Sequence, residues 1–413
     1  MALPRSDSFT AGALLLGVLA VLPVRMRAQE QVPERPRLAE YADTNSAAAY
    51  YQLGLDRLGA DRADVAADAF YWASRLAPGW ADPLYARWVA LILSRPARLV
   101  PYMEGVKSVI ESRQVRQVDS LRLRALLLDP FVYEDLDRKL VMQYLTEVVM
   151  ADLRQRDPTV LRTEVEYEVR LYLKSQEAVE WRAWLAYAER RLGDAVGLYA
   201  EALKYAPKAE HLYRSRLHVQ RGRAYYLAGL RDSAVVELGE AIEELRNRDE
   251  RVTIRVYESK ALLEHSLGVA LEKAGDLAGA REAYGRALVE DLAFYPGHVR
   301  LGRLLAAAGD TAGARSEYAL ALDVAPDAAV PRALLANRYY AGGDYHAVVT
   351  TLEPLLEQEP YWAEPYLLRG LALERLGDWD GAAAHLAKFL ERAEATDGRR
   401  AEIAQRLAAL RSP

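Results

Sequence analysis

The sequence contains few residue arrangements that could perform chemistry. The Gly-Lys-Ser/Thr phosphate loop and the Gly-x-Gly-x-x-Gly, His-Glu-x-x-His and Gly-x-Ser-x-Gly motifs are absent. The chain has no cysteine, which excludes disulfides, a thiolate nucleophile and cysteine zinc sites. The cluster best suited to acid-base catalysis is Glu164, Glu166 and Glu168, because paired carboxylates could act as the acid and the base of a hydrolysis reaction. A solvated helix face that also carries Arg170 and Lys174 explains this cluster without a further assumption.

The six histidines do not form a pattern typical of a metal site. Four of them fall at unrelated positions of the chain: His265, His298, His346 and His385. His211 and His218 are seven residues apart and could share a helix face, but no third ligand lies near them in sequence. The sequence therefore predicts no catalytic site, no metal and no other cofactor.

The amino-acid composition is typical of a folded protein and does not indicate nucleic-acid binding. The 413 residues are 51% hydrophobic and 27% charged, which is sufficient for a sizeable core and unlike a disordered chain. The count of 54 Lys+Arg against 59 Asp+Glu gives a net charge of −5. Because no global basic field exists, we do not expect a nucleic-acid partner.

The N-terminal segment predicts export. Residues 11–24 are almost entirely apolar, and these 14 residues would reach about 21 Å as a helix, short of a hydrocarbon core of about 30 Å. We interpret residues 1–28 as a signal peptide cleaved after Ala28, and residues 29–44 as a linker. The expected location is periplasmic or secreted. Arg25 and Arg27 favour the alternative, an N-terminal membrane anchor. No integral span is expected after signal removal.

The elements that must position any binding residue are set by a 34-residue repeat. Small residues recur at this interval, and each is followed seven residues later by a Gly-Asp pair. The small residues are Gly268, Gly302, Ala336 and Gly370, and the Gly-Asp pairs begin at Gly275, Gly309, Gly343 and Gly377. Further along each repeat come Ala280, Ala314, Val348 and Ala382, and then Tyr284, Tyr318, Leu352 and Leu386.

Each of these positions has a physical role in a pair of helices. The small residues allow two antiparallel helices to approach closely, and the Gly-Asp pair ends the first helix. Ala314, Tyr318 and Ala321 recur at intervals of four and three, so they share one face of the second helix. The pattern predicts four helix pairs over residues 261–294, 295–328, 329–362 and 363–396.

The same positions return upstream with altered spacing. An insertion at residues 249–260 precedes the regular repeats, and the whole array covers residues 177–396. One more unit, residues 45–80, is isolated from the array in sequence. Residues 397–413 carry Ile403, Leu407 and Leu410 on one side and predict a capping helix, because the last element of a repeat array needs a polar outer face.

Region 81–176 keeps helical periodicity but loses the repeat. We interpret it as degenerate helix pairs, and a separate helical domain is the alternative. Two short runs, residues 163–174 and 251–256, alternate apolar and polar residues as a strand would. Both also fit a helix, which we favour because isolated strands would have no sheet to join.

The repeat resembles the tetratricopeptide repeat (TPR) family. This resemblance implies an all-α, right-handed superhelical solenoid of antiparallel helix pairs, with partners bound along a concave groove lined by the first helix of each pair. The groove residues that it implies here are Arg216, Gln220, Arg223, Tyr226, His265, Ser266, Arg300, Arg303, Asn337 and Tyr340.

Four arginines in this set favour a protein or peptide partner with acidic side chains or a free carboxylate. They are Arg216, Arg223, Arg300 and Arg303. The alternative is that these arginines pair with carboxylates of neighbouring repeats. The carboxylate-clamp subgroup of the family is not supported, since Leu334 and Leu368 replace polar residues and only Asn337 matches.

The functional expectation is an exported, non-catalytic TPR scaffold or adaptor that binds its partner in the concave groove. Two alternatives come from different classes. One is a structural component of a cell-envelope or secretion assembly. The other is a hydrolase with its site in the irregular region 81–176.

Overall fold

The computed structural model describes residues 32–95, 113–132, 139–140, 142–144, 146–147, 179–251 and 259–411. The predicted signal peptide, the Glu164 cluster, the run at 163–174 and most of the run at 251–256 lie outside these residues. Helices within the described part are α1 (Ala47–Gly59), α2 (Ala63–Leu76), α3 (Ala81–Leu93), α4 (Arg113–Leu128), α5 (Val179–Ala188), α6 (Leu192–Tyr205), α7 (His211–Leu227), α8 (Arg231–Arg251), α9 (Ala261–Ala274), α10 (Leu277–Glu290), α11 (Tyr295–Ala307), α12 (Thr311–Val324), α13 (Ala329–Ala341), α14 (Tyr345–Gln358), α15 (Ala363–Leu376), α16 (Trp379–Arg392) and α17 (Arg400–Arg411).

The regular elements of the described part are all helical, which confirms the predicted all-α class with TPR-like helix pairs. The pairs α9–α10, α11–α12, α13–α14 and α15–α16 coincide with the four predicted repeats. The contacts divide the described residues into two units. Unit 1 contains residues 88–290, and unit 2 contains residues 32–87 together with 291–411.

Close approach of the two helices explains the small residue of each repeat. A Cβ atom added at Gly302 would lie 2.5 Å from Cε1 of Tyr318, and one at Gly268 would lie 2.4 Å from Cε1 of Tyr284. Both tyrosine rings are buried, so they cannot move aside into solvent. Glycine is therefore required by packing at these two positions.

The Gly-Asp pair both ends one helix and begins the next. Gly309 has φ +84°, a left-handed conformation that a side chain disfavours, and it follows the last turn of α11. Asp310 then caps α12, because its Oδ1 accepts a hydrogen bond of 2.8 Å from the backbone N–H of Gly313. Asp276 and Asp378 cap α10 and α16 in the same way.

Unit 2 joins the first repeat to the last ones. Asn45 Nδ2, just before α1, donates to the carbonyl of Glu391 at 2.8 Å. Arg75 Nη1 at the end of α2 lies 2.7 Å from Glu359 Oε2, and the ring of Trp72 meets that of Tyr361 edge-on at 4.8 Å. The first repeat is thus isolated in sequence only, and it packs against the turns that follow α14 and α16.

The last helix performs the predicted capping role. Ile403 and Leu407 on α17 are buried, and Ile403 packs with Leu386 and Phe389 of α16. Arg399 Nη1, one residue before α17, lies 2.8 Å from Glu364 Oε2 and adds a polar link at the exposed edge.

Candidate peptide-binding surface

Several of the residues assigned to the groove occupy shared positions of the first helices. Arg223, Arg303 and Asn337 each directly follow the small residue of their repeat, at Gly222, Gly302 and Ala336. Tyr226 and Tyr340 each lie three residues further along the same helices. Since residues three apart share a helix face, each Arg223–Tyr226 or Asn337–Tyr340 pair forms one contact surface.

In unit 1 this surface is covered by the chain itself. Residues 129–132, which follow α4 and which we call the docked segment, lie against α7. Tyr226 stacks on Phe131 with 3.7 Å between ring centroids and 11° between ring planes. Arg223 Nη2 donates to the carbonyl of Val132 at 3.0 Å. Phe131 is 4% exposed and Val132 2% exposed, so both residues are buried at this contact.

The docked segment has a turn that aims its aromatic ring. Asp129 Oδ1 accepts a hydrogen bond of 2.8 Å from the backbone N–H of Phe131. The N–H of Val132 donates to the carbonyl of Asp129 at 3.2 Å. Together with Pro130, which restricts the backbone, these bonds form a compact turn directly after α4. A short peptide in one defined conformation therefore contacts the first-helix surface.

The remaining unit 1 candidates are engaged in packing. Arg216 Nη2 bonds Glu180 Oε1 on α5 at 2.7 Å, which agrees with the alternative in which arginines pair with a neighbouring repeat. Burial raises the pKa of the Tyr213 hydroxyl, and the adjacent Glu180 raises it further. His265 has no exposed surface and lies 5.6 Å from the Tyr284 ring, centroid to centroid, and Gln220 is also buried.

In unit 2 the corresponding residues are more open. Arg303 is exposed, and Arg300, Asn337 and Tyr340 are half-buried. Asn337 Nδ2 donates to the carbonyl of Ala333 on its own helix at 3.1 Å. The ring of Tyr340 meets that of Tyr345 at 5.4 Å. We call Arg300, Arg303, Asn337 and Tyr340 the unit 2 surface.

The positive charge of Arg303 affects the pKa of Tyr318, the buried tyrosine of its repeat. Burial raises the pKa of Tyr318, and the positive charges of Arg303 and Arg338 oppose this rise. The positive charges of Arg303 and Arg338 therefore lie close to the buried Tyr318 of this repeat.

Two features were missed by reasoning from sequence. The first is the docked segment, whose only sequence signal is the Asp129-Pro130 turn pair followed by the apolar Phe131 and Val132. The second is a duplicated set of side-chain contacts between α7 and α8, in which a histidine and an arginine share one glutamate. Its members are His211, Arg214 and Glu244 in one set and His218, Arg221 and Glu237 in the other.

Neither histidine of these sets indicates a metal. Within the ranges that the structure describes, no group of three or more His, Asp or Glu residues has a geometry suited to holding an ion. Over the same ranges, no helix combines the length and apolar character needed to cross a membrane.

Comparison with known proteins identifies similar folds. No family model and no curated protein matches this chain. Among solved structures, the C-terminal part of a TPR repeat-containing protein from Cytophaga hutchinsonii is similar, with 18% identity over 51% of this chain and 77% of that chain and a TM-score of 0.41. Yeast Tom70 has 11% identity over 88% of each chain and a TM-score of 0.40. The yeast Sti1 TPR2AB domain, solved as a complex with pHSP90, has 19% identity over 57% of this chain and 98% of that chain and a TM-score of 0.26.

These similarities concern the fold alone. The class of this protein follows from its own helices, whose pairing, 34-residue spacing and Gly-Asp turns define a TPR-like repeat protein.

Proposed function

We propose that this protein is a non-catalytic scaffold that binds a protein or peptide partner on the first-helix surfaces of its repeats. The docked segment is the observation that carries the proposal. A peptide backbone and an aromatic side chain lie against Arg223 and Tyr226, two of the residues that the family resemblance assigns to partner binding. Surfaces of this composition thus suit peptide recognition, through a main-chain contact from arginine and stacking on tyrosine.

The unit 2 surface is the proposed site for an external partner. Arg303 is exposed and Arg300 is half-buried, and the two lie three residues apart on α11. They favour acidic side chains or a chain-terminal carboxylate, because each charge-assisted hydrogen bond contributes about 1.5 to 3 kcal/mol. Asn337 and Tyr340 on α13 add an amide and an aromatic ring to this surface.

The binding test compares two double variants after affinity capture of a partner from cell-envelope extract. We expect Arg300→Ala with Arg303→Ala to weaken binding at low salt and to flatten its salt dependence. Arg375→Ala with Lys388→Ala is the control, since these cations are exposed in the same unit and their removal changes the net charge equally. Circular dichroism establishes that both variants keep their helices.

An equal loss in both double variants would contradict the proposal, because it would indicate a general charge effect. Unchanged affinity in the Arg300 and Arg303 variant would place partner binding elsewhere on the molecule.

Export is a separate part of the proposal. It is supported by the short apolar run at residues 11–24 and by the Ala28-Gln29 junction. N-terminal sequencing of the protein from its native host is expected to begin at Gln29 in an envelope or secreted fraction. A chain that begins at Met1 in the cytoplasm would disprove export, and one that begins at Met1 in the membrane fraction would support the anchor instead.

A further inference from the structure

The docked segment contacts α7 through interactions that recognise a peptide rather than one fixed sequence. Arg223 bonds the main-chain carbonyl of Val132, so this contact depends on backbone position and not on the Val132 side chain. Phe131 supplies the specific element, because its ring stacks flat on Tyr226. The surface therefore selects an aromatic side chain and the carbonyl of the next residue.

The fit of the docked segment is incomplete. A cavity of about 30 Å³ lies between it and the helices, lined by Pro130 and Phe131 from the segment and by Val219 and Leu262 from α7 and α9. Atoms that border such a void lack packing partners on that side.

The equivalent repeat position in unit 2 differs in its exposure to solvent. Arg303 follows Gly302 as Arg223 follows Gly222, yet Arg303 is exposed and Arg223 is 8% exposed. The low exposure of Arg223 thus accompanies its contact with the docked segment and is not a general property of this repeat position.

We infer that the α7–α9 surface is a subsite for a turn-forming peptide with an aromatic residue, that residues 129–132 are its resident occupant, and that a partner segment of the same chemistry competes with them. This inference rests on the proposed scaffold function and names the kind of partner that unit 1 would accept. Its occupant is an aromatic-bearing peptide, in contrast to the acidic partner proposed for the unit 2 surface.

The test uses the full chain and a dye-labelled peptide of residues 126–132 with blocked ends. Fluorescence anisotropy measures its affinity for the parent protein and for Phe131→Ala, which removes the resident ring. We expect the Phe131→Ala protein to bind the peptide at least about tenfold more tightly than the parent, since the competing stack is lost. Adding Tyr226→Ala to this variant is expected to abolish the gain.

A second peptide controls for non-specific binding. In it Ala replaces the residue equivalent to Phe131, and we expect no difference in its affinity between the parent protein and the Phe131→Ala protein. Asp129→Ala provides a milder protein variant if Phe131→Ala does not fold, because it removes the acceptor that orients the turn without changing α7. It is expected to raise peptide affinity severalfold.

If folded Phe131→Ala or Asp129→Ala protein binds the peptide no more tightly than the parent, the docked segment is permanent core and the inference is overturned. Loss of the fold in both variants overturns it in the same way. Failure here is distinguishable from failure of the proposed function, because the salt-dependent test of Arg300 and Arg303 involves neither the peptide nor α7.

Discussion

Two surfaces of this protein share a repeat position and differ in what covers it. On α7, Arg223 and Tyr226 contact the docked segment through the carbonyl of Val132 and the ring of Phe131. On α11, Arg303 at the position of Arg223 is exposed. The repeat therefore decides which face of the helix a residue occupies. Other parts of the chain decide how much of that residue is buried.

The largest expected effect tests whether helix pairing is the same behind both surfaces. Gly302→Val in unit 2 and Gly268→Val in unit 1 each force a side chain into a buried tyrosine ring. We expect each to lower the free energy of unfolding by about 3 kcal/mol, measured by urea denaturation.

Gly285→Ala is the control for these substitutions. Apart from its chain neighbours and the backbone of its own helix, no heavy atom lies within 4 Å of a Cβ added there, so alanine is expected to raise stability slightly as the better helix former. A large loss of unfolding free energy for one valine variant alone would show that the helices of the two units pair differently. The surfaces of α7 and α11 could then not be compared as equivalent repeat positions.

The next largest expected effect is a difference in stability between variants of Arg223 and Arg303. Arg223→Ala removes the donor to a buried carbonyl, and an unsatisfied buried acceptor costs about 1 to 3 kcal/mol. Arg303→Ala changes an exposed residue and is expected to alter the free energy of unfolding by less than about 0.5 kcal/mol. Urea denaturation of both variants under one set of conditions measures the difference. Equal losses of unfolding free energy would refute the contrast between the buried Arg223 and the exposed Arg303.

The smallest effect concerns acid stability in unit 2. Burial lowers the pKa of His385. The hydrogen bond with the carbonyl of Gly381 raises this pKa, whereas the positive charges of Arg369 and Lys388 lower it further. The unfolded histidine binds a proton near its ordinary value of 6.5, whereas the folded one resists protonation. The free energy of unfolding should therefore fall as the pH drops through 6.5 towards the lower folded value.

His385→Gln is expected to reduce this loss, measured as the change in urea midpoint between about pH 7 and pH 5. The proposed role of His385 fails if its variant keeps the full pH dependence of the parent.

Helix pairs were predictable because their packing is local and periodic. The repeat over residues 295–328 placed a break at Gly309-Asp310, and the structure ends α11 at Ala307 and begins α12 at Thr311. Glycine, aspartate and small residues at fixed spacing leave few alternatives, since each corresponds to a left-handed turn, a helix cap or a close approach.

The candidate site was predictable only in part. The positions of Arg223 and Tyr226 on one helix face follow from their spacing of three. Their contact with the docked segment does not, because Arg223 and Val132 are 91 residues apart and belong to no common repeat position. Stacking and a single main-chain hydrogen bond leave no periodic trace in a sequence.

Periodic spacing was therefore enough to predict the helix pairs, the turns between them and the helix face shared by Arg223 and Tyr226. The folded structure was needed to show that residues 129–132 cover Arg223, and that the first repeat packs on turns near residues 358–361, where Arg75 bonds a carbonyl 283 residues away. Spacing specifies neighbours within and between adjacent repeats. Contacts between distant segments depend instead on the shape and charge that those repeats present once they have folded.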